Sequence, residues 1–177
     1  MTHPSLTVAK IGGSLFDWPD LRPALRTWIS SLETDSLLLI AGGGPSTDAV
    51  RTYDRIHHLG EEASHWLALH SMSVTAELLK RFVFDLPRVT ILDALAFCEN
   101  EHDLPHTWNV TSDSIAAKVA EIRQAQRLIL VKSVDVPTEQ SWDELAELGV
   151  VDHYFPTAAV RFPGSIEFVN LRTLKSK

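Results

Sequence analysis

The sequence has little cysteine and little glycine, and its charged side chains are more often acidic than basic. Cys98 is the only cysteine among 177 residues, which excludes an internal disulfide and a cysteine-based zinc site. The 8 glycines and 9 prolines are too few for a collagen-like or low-complexity chain. Acidic residues outnumber basic residues by 23 to 16, and the resulting formal charge of −7 disfavours binding to nucleic acid.

Long apolar runs and a recognisable export signal are also absent. The densest aliphatic run, at 37–41, is far shorter than the roughly 20 apolar residues that span a bilayer. The first four residues contain neither the basic nor the apolar region of a secretory signal. We therefore expect a cytoplasmic protein that does not bind membranes, and the length predicts a single domain over residues 1–177.

Apolar segments of strand length alternate with segments of helical periodicity along the chain. Strands are predicted at 6–11, 36–41, 88–92, 128–131 and 165–171. Helices are predicted at 19–33, between 44 and 60, at 61–84, 112–125 and 141–148, with a short helical turn at 93–97. This alternation predicts an α/β domain in which helices are layered on a largely parallel sheet.

Helical spacing also predicts which side chains face the core. In the helix before Gly60, the side chains expected to point inward are Ala49, Val50, Tyr53 and Ile56. In the helix at 61–84, the expected core contacts are Trp66, Leu69, Met72, Val74, Leu78 and Leu79. Ser112 is predicted to cap the helix that follows it, because a serine hydroxyl accepts a hydrogen bond from the first helical turn.

Three of the predicted strands end in residues that suit an anionic ligand. The first leads from Lys10 into a pair of glycines, the second ends at the triple glycine 42–44, and the fourth ends at Lys132. The carboxyl ends of parallel strands meet at one edge of the sheet, where α/β proteins bind their ligands. Glycine lets backbone N–H groups approach a ligand, and a lysine in an apolar strand needs a carboxylate or a ligand nearby. We therefore predict a pocket for a group with several negative oxygens, such as phosphate, and phosphoryl transfer as its chemistry.

Other classes of reaction have no motif in their favour. The sequence contains no Walker pattern, no GxGxxG dinucleotide pattern and no GxSxG nucleophile elbow. It also offers no direct side-chain motif for a metal ion. The predicted anion pocket is therefore not of a standard P-loop or dinucleotide type.

Three ordered motifs resemble those of the amino acid kinase family. They are Lys10-Ile11-Gly12-Gly13-Ser14, then Gly42-Gly43-Gly44-Pro45, then residues 111–117, which begin Thr111-Ser112-Asp113. The resemblance implies a carbamate kinase-like fold, which is a three-layer αβα sandwich around a largely parallel sheet. Members of the family usually run well beyond 177 residues, so the resemblance also implies a shortened nucleotide lobe. The later Gly-Gly-Met motif that many members carry is absent.

The same resemblance implies roles for individual residues. Lys10 would stabilise the transferring phosphoryl group, and Asp113 would orient the lysines through charge-assisted hydrogen bonds. The nucleotide and its phosphates would be held by Gly12, Gly13, Ser14, Lys132, Ser133 and Asp135. The acceptor would be held by Gly42, Gly43, Gly44, His65 and Ser112.

Three further stretches, at 65–68, 104–114 and 131–135, resemble the branch of the family that acts on aminomethylfuran phosphate in methanofuran biosynthesis. The resemblance implies a homodimeric kinase that uses ATP and Mg²⁺ to phosphorylate an anionic small molecule. The implied acceptor is the phosphate of an aminomethylfuran-type precursor of a one-carbon coenzyme.

Two alternatives stay open. One is an enzyme of the same fold that acts on a carboxylate or on another phosphate. The other is a non-catalytic ligand-binding protein that has lost the nucleotide half. The short chain and the pair Val136-Pro137 favour this second alternative, because proline stiffens the loop at the expected nucleotide pocket.

Overall fold

A computed structural model describes residues 5–174, in which five strands and seven α-helices alternate. The first four residues, on which the prediction about export rests, lie outside this range. The strands are β1 (Leu6–Ile11), β2 (Ser36–Ala41), β3 (Val89–Leu92), β4 (Arg127–Lys132) and β5 (Ser165–Asn170). The helices are α1 (Leu21–Ser31), α2 (Gly44–His57), α3 (Glu61–Val83), α4 (Ala94–Cys98), α5 (Ser112–Ile122), α6 (Trp142–Glu147) and α7 (Phe155–Arg161). No helix in the described part of the chain is both long enough and apolar enough to cross a membrane.

The five strands form one parallel sheet with the order β3-β2-β1-β4-β5. This arrangement confirms the predicted α/β class and the parallel sheet. In the pairing register, Ile11 of β1 lies opposite Ala41 of β2 and opposite Val131 of β4. The carboxyl ends of these three strands therefore meet at the centre of one sheet edge.

Alternate residues of the strands face opposite layers of helices, as the pleat of a strand requires. Val8 and Leu130 pack in the core beneath α5, whereas Ile11 packs in the core beneath α1. Lys10 and Lys132 are two residues beyond Val8 and Leu130, respectively, so they share the α5 face. The alternation of side chains along β1 and β4 thus directs both lysines toward the same helix.

The inward faces of α2 and α3 are only partly those expected from apolar spacing. Tyr53 and Ile56 of α2 are 55% and 59% exposed, so their predicted place in the core is wrong. The buried face of α2 instead contains Thr47, whose hydroxyl forms a hydrogen bond of 2.6 Å with Ser71 of α3. A hydrogen-bonded hydroxyl can be buried at little cost, and it therefore displaces the apolar stripe that spacing alone selects.

On α3, too, a threonine is buried where an apolar side chain was expected in the core. Val74, which was expected in the core, is 62% exposed, whereas its neighbour Thr75 is 4% exposed. The Thr75 hydroxyl donates a hydrogen bond of 2.8 Å to the Gly42 carbonyl oxygen at the end of β2. This bond joins the longest helix to a glycine-containing turn of the predicted site.

Helix α7 has no counterpart among the predicted elements. Phe155 at its start is fully buried, and its ring meets the ring of Trp142 edge-on at 5.4 Å between centroids. The helix has only seven residues and begins with Phe155-Pro156, so its amphipathic pattern is too short to detect by spacing. It packs against α5 and α6 and so completes the layer that holds α5.

Replacing Phe155 by alanine is expected to lower the free energy of unfolding by about 3–5 kcal/mol, because it removes a fully buried aromatic ring. Urea denaturation followed by circular dichroism measures the change. The matched control is Val160→Ala on the same helix, where the side chain is 82% exposed and the expected change is within about 0.5 kcal/mol. Equal effects of the two substitutions would contradict this account of the core.

Candidate active site

A buried carboxylate lies between two ammonium groups at the carboxyl end of the sheet. Lys10 Nζ is 2.9 Å from Asp113 Oδ1, and Lys132 Nζ is 2.9 Å from Asp113 Oδ2. The side chains of these three residues are 7%, 11% and 6% exposed for Lys10, Lys132 and Asp113, respectively. The three residues come from β1, β4 and the first turn of α5, so the ion pairs join three elements at one point.

The charges in this cluster control one another's protonation. Burial opposes ionisation of Asp113, but the neighbouring Lys10 and Lys132 outweigh it and hold the pKa of that carboxyl below its ordinary value. Burial, together with repulsion by Lys10, lowers the pKa of Lys132 to about 8 against the opposing attraction of Asp113. At neutral pH the cluster therefore contains two cations and one anion, which leaves a positive charge at the base of the site.

Two glycine-containing turns pack directly against each other in front of the lysines. A Cβ atom on Gly13 would lie 2.5 Å from the Gly44 nitrogen, and one on Gly42 would lie 2.6 Å from the Gly13 nitrogen. Gly44 also has a φ of +57°, a conformation that side chains other than glycine rarely adopt. Only glycine permits this approach of the β1 and β2 turns, and glycines of both turns line the same cavity as Lys10.

A cavity of about 380 Å³ opens in front of Lys10, and we refer to it as the central cavity. It brings together seven of the predicted site residues: Lys10, Gly13, Ser14, Gly43, Gly44, His65 and Ser112. Gly12 and Gly42 belong to the same two turns but do not line the cavity. The Gly12 N–H donates to the Val131 carbonyl and the Gly42 N–H donates to the Ile11 carbonyl, both at 2.8 Å. An open cavity with a cation, backbone amides and hydroxyls at its base can bind a phosphate-sized anion.

His65 contributes a polar atom that has no partner in the described chain. His65 is 3% exposed and lines the central cavity. Its Nε2 atom forms no hydrogen bond within residues 5–174. Burial, reinforced by the neighbouring His106, lowers the pKa of His65, so the imidazole is neutral at pH 7. The His106 ring stacks on the His65 ring at 5.1 Å between centroids, and His106 Nδ1 forms a hydrogen bond of 2.9 Å with Glu62.

The remaining predicted nucleotide residues lie to one side of the central cavity. The Ser133 hydroxyl forms a hydrogen bond of 2.7 Å with the Ser14 hydroxyl. Asp135 accepts a hydrogen bond of 2.8 Å from Asn170 and lines a second cavity of about 430 Å³, which we call the peripheral cavity. The structure separates Lys132 from these residues, because its ammonium points back to Asp113 and lines neither cavity.

The start of α5 is held by a residue that sequence reasoning missed. The cap position of α5 is occupied by Thr111, and Ser112 is already helical, so the prediction that Ser112 is the cap is wrong. Asp152 performs the capping from a distance. Its carboxylate accepts hydrogen bonds from Thr111 N and Oγ1 at 3.0 and 2.8 Å and from Ser114 N at 3.0 Å, and a further bond from Ser114 Oγ.

The chain is similar to a curated protein, the [5-(aminomethyl)furan-3-yl]methyl phosphate kinase of Methanocaldococcus jannaschii. The two sequences are 25% identical over 190 aligned positions, which cover 93% of this chain and 88% of that protein. No family model matches the chain.

Two solved structures share the architecture. The uridylate kinase of Archaeoglobus fulgidus superposes with a TM-score of 0.64 at 17% identity, covering 90% of this chain and 88% of that one. The UMP kinase of Ureaplasma parvum superposes with a TM-score of 0.63 at 12% identity, covering 97% and 92%, respectively. The chain has the amino acid kinase fold. The resemblance to the amino acid kinase family is thus confirmed, with the two solved structures showing the fold. The curated relative is named as a kinase, which bears out the expectation of a phosphotransferase.

Two further residues of this amino acid kinase fold line the central cavity without having been predicted. Arg51 of α2 and Trp108 of the loop before α5 form one wall, with the guanidinium carbon 5.2 Å from the centroid of the indole ring. The Trp108 indole nitrogen donates a hydrogen bond of 2.9 Å to Asp54. The spacing of Arg51 and Trp108 in sequence does not indicate that they are neighbours, because they meet only once the loop folds over α2.

Replacing Asp152 by alanine is expected to lower the free energy of unfolding by about 2 kcal/mol, because the backbone and hydroxyl donors at the start of α5 lose their acceptor. The matched control is Ser141→Ala, which removes the capping box of α6 outside the ion-pair cluster and should cost about 1 kcal/mol. Denaturant unfolding measures both. A smaller loss for Asp152→Ala than for the control would contradict the assigned capping role.

Proposed function

We propose that the chain is an ATP-dependent kinase that transfers a phosphoryl group to an anionic small molecule bound in the central cavity. The observation that carries the proposal is the Lys10 ammonium, which is fixed by Asp113 at 2.9 Å and lines the cavity beside the two glycine turns. Phosphoryl transfer depends mainly on positioning and on stabilisation of negative charge, and this arrangement provides both.

Lys10, Asp113 and the glycine turns have different parts in this mechanism. Lys10 donates hydrogen bonds to the oxygens of the transferring group as their negative charge shifts. Asp113 keeps the ammonium pointed at the cavity, and the N–H groups of the Gly13 and Gly44 turns bind neighbouring phosphate oxygens. No covalent enzyme intermediate is involved, since the acceptor and the nucleotide meet in line across the cavity.

The side chains of the central cavity support an anionic acceptor that also has a planar ring. Arg51, which pairs with Asp48 at 2.7 Å, provides a cation beside that of Lys10. His65 provides a ring nitrogen that has no partner within residues 5–174, and Trp108 provides a flat aromatic surface. The similar protein from Methanocaldococcus jannaschii is named for an aminomethylfuran phosphate, which is a phosphate on such a ring. We propose a substrate of this type, the phosphate of an aminomethylfuran precursor of a one-carbon coenzyme, as the acceptor.

The peripheral cavity supports binding of the nucleotide base and sugar. It has apolar walls that include Trp142, Ile166 and Phe168, and polar groups on Asp135 and Asn170 at its edge. This lining fits a flat base next to a hydroxylated sugar. The loop containing Pro137 is part of the wall rather than a plug across it, which weighs against loss of the nucleotide half.

The residues present fit a magnesium ion that is bound chiefly by phosphates. Within residues 5–174 no group of three or more His, Cys, Asp and Glu side chains could hold a metal on its own. Mg²⁺ commonly uses one or two carboxylates together with substrate phosphates. Asp17 and Asp48 of the central cavity would serve in that way by exchanging their arginine partners, Arg172 at 3.8 Å and Arg51 at 2.7 Å, for the ion. When bound, the ion neutralises charge on the phosphate oxygens.

Replacing Lys10 by alanine is expected to lower kcat at least about a hundredfold, because it removes the cation that contacts the transferring group. A coupled assay of ADP release measures turnover, with aminomethylfuran phosphate, other phosphates and carboxylates as acceptors. The matched control is Lys80→Ala, an exposed lysine on α3 that pairs with Glu77 at 3.5 Å and should leave turnover unchanged.

Unchanged turnover in Lys10→Ala would contradict the role of that residue. Preference for a carboxylate in the acceptor panel would favour the alternative of a kinase with a different acceptor. Calorimetry with a non-hydrolysable ATP analogue and Mg²⁺ addresses the remaining alternative, since an absence of heat at millimolar nucleotide would favour a ligand-binding protein.

A homodimer and a cytoplasmic location are further parts of the proposal. Apolar side chains are exposed on neighbouring helices, with Tyr53 and Ile56 on α2 and Leu67 and Val74 on α3. Exposed apolar side chains of this kind suit a contact with a second copy. Light scattering coupled to size exclusion is expected to give twice the mass of 19.7 kDa, and the monomer mass would contradict the dimer.

A further inference from the structure

The ammonium of Lys132 is held by acceptors of the protein itself. It donates to Asp113 Oδ1 at 3.0 Å, to Asp113 Oδ2 at 2.9 Å and to the Val150 carbonyl oxygen at 2.7 Å. The two oxygens of one carboxylate lie too close together to take two separate N–H groups, so they share one donor of the ammonium and the Val150 carbonyl takes another. The Lys132 side chain also lines neither the central nor the peripheral cavity.

The other lysine of the cluster is placed differently. Lys10 Nζ has one carboxylate partner at 2.9 Å, Asp113 Oδ1, and the residue lines the central cavity. The Asp113 carboxylate thus contacts a lysine that lines the central cavity and a lysine that is bound to the Val150 carbonyl oxygen. The two cations therefore differ in what they face, although they touch the same carboxylate.

We propose that Lys132 is a positioning residue, which holds Asp113 against the Val150 carbonyl so that Asp113 keeps the Lys10 ammonium directed into the central cavity. The inference rests on the proposed kinase function and adds to it a division of labour between the two lysines. It replaces the expectation from sequence that Lys132 stands at the edge of the nucleotide pocket.

The segment between α6 and α7 binds both Lys132 and the turn of α5 that carries Asp113. Val150 accepts the hydrogen bond from Lys132, and two residues later Asp152 caps the turn of α5 that carries Asp113. A carboxylate held from its backbone and from its side chain has little freedom to rotate. The orientation of Lys10 is consequently set by contacts of Asp113, Lys132, Val150 and Asp152, none of which lines the central or the peripheral cavity.

The kinetic test compares Lys132→Met with Lys132→Arg. Lys132→Met removes the charge and keeps most of the side-chain length. It is expected to lower kcat about a hundredfold while both KM values change less than about threefold. Lys132→Arg restores a cation and is expected to recover at least about a tenth of kcat. A large rise in the KM for nucleotide with kcat unchanged would overturn the proposal, because it would indicate direct contact with the nucleotide.

The matched control is Lys118→Met. Lys118 is another buried lysine, 9% exposed at its side chain, and it pairs with Asp103 at 3.1 Å and with Glu121 at 3.5 Å on the outer part of α5. Its removal is expected to reduce stability and to leave kcat within about threefold of the wild-type value. Equal kcat losses in the two methionine variants would overturn the positioning role, since both would then reflect general destabilisation.

The dependence of kcat on pH gives a readout that a structural role would not move. The charged groups that face Lys132 are Lys10 from β1, Asp113 from α5 and Asp152 from the α6–α7 connection, and the pKa of Lys132 is lowered to about 8. Because the protonated form does the positioning, kcat should fall as the pH rises through about 8 in the wild type. Arginine does not titrate in this range, so Lys132→Arg should move this decline upward by at least about one pH unit. A decline at the same pH in both proteins would overturn the proposal.

A crystal structure of Lys132→Met tests the inference without any turnover. The expected result is displacement of Lys10 Nζ by about 1 Å or more from its place beside Asp113 Oδ1. An unmoved Lys10 would overturn the positioning role. If the wild type instead fails to release ADP with every acceptor while Lys10 moves in the variant, the proposed function fails and the positioning role stands.

Discussion

The structure depends on one buried carboxylate, Asp113, and on the need to compensate its charge. Removing one partner of a buried ion pair typically costs about 3–5 kcal/mol, so the contacts of Asp113 with Lys10 and Lys132 constrain the fold as well as the site. They join the central strand β1, its neighbour β4 and the start of α5. With two cations and one anion, the cluster keeps a positive charge at the base of the cavity, and that charge suits it to an anionic ligand.

The geometry of a parallel sheet explains how distant parts of the chain produce this cluster. Lys10 and Lys132 are 122 residues apart in sequence, but adjacent parallel strands bring their ends together and the pleat directs both toward α5. The glycine turns after β1 and β2 then approach each other so closely that a Cβ on Gly13 or on Gly42 would collide with backbone. The base of the site is thus made from strand ends, and α5 supplies the carboxylate that joins the two lysines.

Much of the fold and the base of the site could be predicted from sequence, for physical reasons that are local. Fully buried strands have near-continuous apolar runs, and a lysine or a glycine pair that ends such a run is conspicuous, which is how Lys10 and Gly13 were identified. The resemblance to amino acid kinases supplied Asp113. Features that depend on tertiary contact were missed: Asp152 caps a helix 38 residues earlier in the chain, and hydroxyl pairing lets Thr47 replace Tyr53 on the buried face of α2.

We propose that a phosphoryl group in transfer lies in the central cavity against Lys10. A crystal structure of the wild-type protein with ADP, Mg²⁺, an acceptor phosphate and aluminium fluoride, which imitates the transferring group, tests this placement. We expect a planar fluoride centre within about 3 Å of Lys10 Nζ and of the amide groups of the Gly13 and Gly44 turns. A fluoride centre bound away from Lys10, or a central cavity that stays without ligand while ADP binds elsewhere, would contradict it.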